Sequence, residues 1–397
     1  MTPTKPLPYT EFLILLTLMI SIVAMAIDMM LPALALMGND LGVERLSHTQ
    51  LIISFMFGGF ALGQFVVGPL SDSFGRKPLI LGGYILFLLG CLVSLRADTL
   101  EVMLVGRFLQ GLGAAGPRVI SMSLIRDLYA DKAMARIMSF IMTLFFLISI
   151  GAPLMGQAVI MVASWRYIFG IFMALGALTC SWMMLRQPET HPVDKRLAFS
   201  LKTIWGGVKE VVTTREVMGN TLALGVVSGP FIAYLASSRQ VFQDIYQVAE
   251  LFPVYFGISA TAIAAASLSN ARLVKGFSLK SIAHAAFVLV AVVSAVFVPV
   301  FMAYQGVPPL PVFMAWLMLV FFGIGLIFGN LTTIAMQPVG HLAGIGAAVV
   351  GSLSTFMSLP LAYVIGQMIT GSALPLPLSF ALLGTVSLLI LRRTNRR

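Results

Sequence analysis

The amino-acid sequence predicts an all-α membrane protein of twelve transmembrane helices, arranged as two pseudo-symmetric six-helix bundles with both termini on the cytoplasmic side. Three observations carry that expectation. Of 397 residues, 59% are hydrophobic and only 10% charged, with a mean hydropathy of +0.97, whereas a soluble domain carries roughly 25% charged residues. The apolar residues fall in near-continuous runs of the ~20 residues needed to cross hydrocarbon. Lys and Arg gather on one set of the loops between those runs, which fixes orientation.

Apolar runs near 12–37, 50–71, 78–96, 102–125, 137–161 and 165–186 form the first six spans. A second six follow near 217–238, 250–270, 281–304, 310–335, 342–369 and 373–391. The first run, beginning at Phe12, is too long for the apolar core of a secretory signal and is expected to stay as a span. The longest polar stretch, Arg186 to Arg215, separates the sets. This divides the chain into an amino-terminal bundle (1–186), a cytoplasmic linker (187–215) with a short surface helix around Leu201–Val212, and a carboxy-terminal bundle (216–397). Gly and Pro interrupt matched spans, at Gly151-Ala152-Pro153 with Gly156 in the fifth and Ser358-Leu359-Pro360 with Gly366 in the eleventh. Taken singly these are ordinary helix packing; their pairing favours two halves that move as repeats.

With the amino terminus inside, 19 of the 25 Lys and Arg fall on inner loops and tails. Four, Arg45, Arg96, Arg166 and Arg239, fall outside. The net charge of +10 is therefore an orientation signal rather than a nucleic-acid surface, and no nucleic-acid partner is expected. Cys91 and Cys180 sit inside apolar runs without CxxC or CxxH spacing, so neither a metal site nor a disulfide framework is expected. No HExxH, GxSxG or Gly-rich phosphate loop occurs, which argues against enzyme chemistry and ATP coupling and leaves an ion gradient as the energy source. No cofactor is expected.

Between spans two and three lies Gly68-Pro69-Leu70-Ser71-Asp72-Ser73-Phe74-Gly75-Arg76-Lys77-Pro78. Gly68 permits close helix approach, Gly75 a turn at positive φ, and Asp72 is placed to pair with Arg76. This segment resembles the loop signature of the major facilitator superfamily. Span four opens with Arg107-Phe108-Leu109-Gln110-Gly111, similar to a second motif of proton-coupled members, and ends at Arg126-Asp127 on the inner face. The resemblance implies a charge relay of Asp72, Arg76 and Asp127 that latches one of two states. Span five matches the antiporter motif only in part: Pro153 and Gly156 fit, but Ala152, Gln157 and Ile148 depart from it. The second-half copy of the loop, Asn270-Ala271-Arg272-Leu273-Val274-Lys275-Gly276, has no acid. Together with Ala26-Ile27-Asp28-Met29-Met30-Leu31-Pro32 and Ile125-Arg126-Asp127-Leu128-Tyr129, the pattern most resembles the bicyclomycin/chloramphenicol-resistance branch of drug:proton antiporters.

Asp28, Arg107 and Arg118 are the ionisable residues within the predicted spans. Such charges are costly in lipid and usually face a cavity and a partner. Asp28 is the carboxylate among them, and no acid follows Glu250, so by elimination Asp28 carries the proton that the resemblance implies. The alternative is a permanent ion pair with Arg107 that fastens spans one and four; the two roles can coexist in different states. Arg118, eleven residues after Arg107, projects from nearly the same face. It either forms a cationic cavity wall or pairs with a polar neighbour or inner headgroups. Met25, Met29, Phe231, Tyr234 and Tyr255 are candidate cavity residues, each equally readable as helix packing. The expected function is proton-driven export of small amphipathic drugs or metabolites by a monomer in the bacterial inner membrane, with protons, substrate and the bilayer as partners. The alternative is a dedicated exporter of an anionic or zwitterionic metabolite such as a siderophore.

Overall fold

A computed structural model describes residues 7–43, 46–129, 131–196 and 200–395. Arg45, one of the four outer basic residues, lies outside them. The described residues are helical throughout, without strand. Among the described residues ten segments are long and apolar enough to cross a membrane, the first of them running Tyr9–Asp40. The expected fourth and fifth spans correspond to helices of 29 and 32 residues, Leu100–Leu128 and Asp131–Val162. The former is diluted by Glu101, Arg107, Gln110 and Arg118, and the described apolar run of the latter is Leu147–Val162. The chain divides into two compact units, one ending at Gly206 and the other beginning at Gly207.

The first unit contains α1 (Tyr9–Asp28), α2 (Leu34–Asp40), α3 (Gln50–Phe74), α4 (Arg76–Leu95), α5 (Leu100–Leu128), α6 (Asp131–Val162) and α7 (Arg166–Arg186). The expected first span is two helices rather than one. α1 stops at Asp28, and a turn at Met29–Met30 leads into a single 3₁₀ turn, Leu31–Ala33, before α2 resumes. Pro32 has no N–H to donate to the preceding turn, so the regular ladder ends there. α5 packs between α3 and α4 on backbone-to-backbone contacts. A side chain at Gly111 would strike the Met56 carbonyl of α3, and one at Gly113 the Phe87 amide of α4. Such close approach is how helices associate when lipid supplies no hydrophobic driving force between them.

A short helix, α8 (Leu201–Thr213), bridges the boundary; it buries Gly207, Val208 and Val211 and leaves Lys202, Trp205 and Lys209 exposed. The second unit continues with α9 (Arg215–Gln240), α10 (Phe252–Leu273), α11 (Leu279–Ala303), α12 (Leu310–Met336), α13 (Ala343–Met368) and α14 (Pro375–Asn395). α9 packs on α13 and α14, and α12 on α10 and α11. An aromatic core of Phe301, Phe313, Trp316 and Phe380 joins α11, α12 and α14. Large apolar side chains such as Ile85, Leu147, Leu319 and Leu389 remain exposed, as expected where the solvent is lipid.

Candidate functional site

Asp28 closes the last turn of α1 and is buried, 8% exposed. Ser149 of α6 lies next to its carboxyl. α6 reaches this point because Gly156, two turns further on, lies directly against the Met29 carbonyl; any Cβ there would overlap that oxygen. Pro153 sits between them inside α6. The broken end of α1 and the partial antiporter motif are therefore one locality. Met25 on α1 and Met29 in the turn after it are buried on either side of Asp28 in the chain.

Arg107 is completely buried. Its Nε donates to the Ile52 carbonyl of α3 at 3.2 Å and its Nη2 to the Ala26 carbonyl of α1 at 2.9 Å, while Nη1 donates to the Gln110 side chain. It thus ties α5 to α3 and to the turn that ends at Asp28. Among the described residues no ion pair joins Arg107 to Asp28; backbone carbonyls of the last turn of α1 and of α3 take its donors instead. Arg118 projects from nearly the same face of α5, about 16 Å further along. Its guanidinium lies 5.6 Å from the centroid of the Phe145 ring on α6, a cation–π contact. It makes no hydrogen bond or ion pair among the described residues.

At the far end of α5 the loop residues converge on Arg76. Nη1 of Arg76 donates to Asp72 Oδ1 at 2.6 Å and to Ser71 Oγ at 2.7 Å, and Nε to Asp127 Oδ2 at 3.2 Å. The planar guanidinium fork, partly buried, holds α3, α4 and α5 together through a single side chain. Gly68 accepts from the Ser71 hydroxyl, and Gly75 turns the chain into α4 at φ +98°, where only glycine is unstrained.

One member of this cluster escapes a sequence reading. Glu189, in the stretch expected to be a linker, accepts from the Arg76 and Lys77 backbone amides, both at 3.0 Å. These are orphan donors at the start of α4, and the Gly75 cap position has no side chain to satisfy them. Thr190 donates to Asp127 at 3.0 Å, and Arg196 lies 3.7 Å from Glu189. The only sequence signal is the capping need itself; the partner is more than a hundred residues away.

In the second unit the expected cavity residues are packed into aromatic layers. Tyr234 is completely buried, its ring edge-on to Phe321 at 5.0 Å and its hydroxyl 3.3 Å from Ser259. Phe231 meets Phe321 and Phe328 at 5.4 and 5.3 Å. Tyr255, partly exposed, stacks on Phe242. In the worn second copy of the loop signature, Asn270 accepts a hydrogen bond from Asn330 at 2.7 Å. No cluster of three or more metal-ligating side chains occurs among the described residues.

Residues 16–362 match the Major Facilitator Superfamily. The chain belongs to that superfamily. An uncharacterized facilitator-type transporter of Bacillus subtilis, YdgK, is 30% identical over 330 residues, covering 82% of this chain and 81% of the relative. A bicyclomycin resistance protein homolog of Haemophilus influenzae is 31% identical over 266 residues, 66% of each chain. A D-xylose–proton symporter shares the fold with a TM-score of 0.74 at 12% identity, over 98% of this chain and 97% of its own. As a facilitator the protein is a multi-pass membrane transporter rather than an enzyme, it takes a small-molecule substrate, and its relatives include the drug-resistance branch that the amino-terminal motifs resemble.

Proposed function

We propose that this facilitator is a proton-coupled antiporter that exports small amphipathic molecules, of the kind the bicyclomycin resistance homolog is named for, from the cytoplasm by alternating access. The observation that carries the reading is the carboxyl of Asp28, buried where α1 breaks and faced by the α6 stripe of Ser149, Pro153 and Gly156. Discontinuous helices at membrane depth are where transporters place coupling sites, and a buried intramembrane carboxyl is a group that can load and release a proton.

In this reading Arg107 is the switchable neighbour, its guanidinium on the Ala26 carbonyl two residues before Asp28. The Asp72–Arg76–Asp127 cluster with Glu189 is a latch formed in one of two states. Twelve spans, both termini inside, in the bacterial inner membrane, follow from the charge asymmetry and from counting α5 and α6 as spans. Residues 1–186 and 216–397 act as the two moving bundles of a monomer, with 187–215 between them. The test is bicyclomycin flux in proteoliposomes under an imposed pH gradient. Wild type accumulates drug in response to the gradient and Asp28→Asn does not; equal gradient-driven flux in both removes Asp28 from the coupling role.

A further inference from the structure

Arg118 and Asp28 address the same stripe of α6. Arg118 stacks on Phe145, and Asp28 meets Ser149. These two α6 positions are four residues apart, so they lie on one face, separated by about 6 Å along the axis. Phe140, Leu147, Leu154, Met155, Met161 and Val162, the exposed large apolar side chains of α6, project roughly 80–180° away around the helix. The stripe that carries the two charges is therefore the one turned from lipid. Phe145, Ser149 and Arg118 are each part-exposed, so this face borders open space.

Among the described residues no carboxylate pairs with Arg118. Asp127 is held by Arg76 and Thr190, which leaves Asp28 as the acid on the stripe. A cation at membrane depth with five donors and only an aromatic ring beneath it is ready to receive an anionic group. Among charged ligands, the class that fits follows from what each would do to the exchange. A purely anionic substrate on Arg118 stabilises a proton on the neighbouring acid, so substrate and proton would bind together, the opposite of antiport. A purely cationic substrate displaces the proton from Asp28 but is repelled by Arg118. A molecule with both charges satisfies each group and still competes with the proton.

We propose that Arg118 and Asp28 form a two-point site for amphipathic zwitterions, with the substrate ammonium replacing the proton on Asp28 and its carboxylate seated on Arg118. This rests on Asp28 being the exchanging group. The test uses full-length protein in proteoliposomes and three fluorescent probes on one scaffold: Nε-dansyl-lysine (zwitterion), its methyl ester (cation) and its Nα-acetyl derivative (anion).

Wild type binds the zwitterion at least tenfold more tightly than either derivative, since one charge-assisted contact is worth about that factor or more. Arg118→Gln lowers zwitterion affinity to that of the ester, Arg118→Lys recovers part of it, and Asp28→Asn removes the advantage over the acetyl derivative. Wild type that ranks the three probes equally, or binds none, overturns the site, as does Arg118→Gln that keeps the wild-type ranking. The parent reading fails differently: probe binding keeps this ranking while no probe moves in response to a pH gradient.

Discussion

Gly156 and Gly151 lie five residues apart on α6 and make opposite predictions for the same substitution. A Cβ at Gly156 falls inside the Met29 carbonyl oxygen, with the carbonyl carbon 2.8 Å away, whereas nothing lies within 4 Å of a Cβ at Gly151. The obstacle at Gly156 is backbone, so no side chain can rotate away. Gly156→Ala must push α6 off the break in α1 by about 1 Å or more, at an overpacking cost of about 1–3 kcal/mol. The displacement also draws Ser149 from Asp28, so transport falls further than stability alone explains. Gly151→Ala gains about 0.5–1 kcal/mol of helix propensity and keeps transport. Thermal unfolding of the purified variants and gradient-driven flux in proteoliposomes read both effects. Wild-type stability and flux in Gly156→Ala, or equal damage from the two alanines, refutes the contact that joins α6 to the turn after Asp28.

Three further predictions concern the charged machinery. Glu189→Gln keeps the shape but weakens the acceptor that caps α4, and Glu189→Ala removes it. Denaturation should show a loss of roughly 0.5–2 kcal/mol for the alanine variant, the range of a lost helix cap, with a smaller loss for the amide. Arg76→Ala and Asp127→Asn share one contact, so their effects on flux combine less than additively, with a coupling of about 0.5–3 kcal/mol in a double-mutant cycle; strict additivity would separate them. Arg107→Lys keeps the charge but cannot reach the Ile52 and Ala26 carbonyls together. It should therefore lower thermal stability and flux together, where an arginine serving charge alone would leave both unchanged.

The membrane spans were legible because hydropathy and charge placement act over whole helices: α7 and α11 lie within two residues of where apolar runs put them. The break after Asp28 was not, because Met29, Met30, Leu31 and Ala33 are as apolar as the helix they interrupt; Pro32 was the one local signal. Asp72, Arg76 and Asp127 were readable from motif spacing, and the structure brings all three to one guanidinium. Glu189 was hidden by sequence distance and by a polar context that reads as connector. Tyr234 shows the converse: an aromatic at helical spacing was a candidate cavity residue, yet it lies fully buried among Phe256, Phe321 and Ser259. Arg118 stood out in composition as a charge in lipid, but the Phe145 ring beneath it depends on the register of α5 against α6, which no spacing within one helix encodes.

Competition of substrate and proton at Asp28 is the core of the proposed transport cycle. Its most direct measurement is proton release into a weakly buffered solution, followed with a pH-sensitive dye, when Nε-dansyl-lysine is added to the purified, detergent-solubilised transporter. At a pH where Asp28 holds its proton before the ligand is added, wild type should release close to one proton per bound molecule and Asp28→Asn none. Binding without release in wild type, or equal release from the asparagine variant, would contradict it.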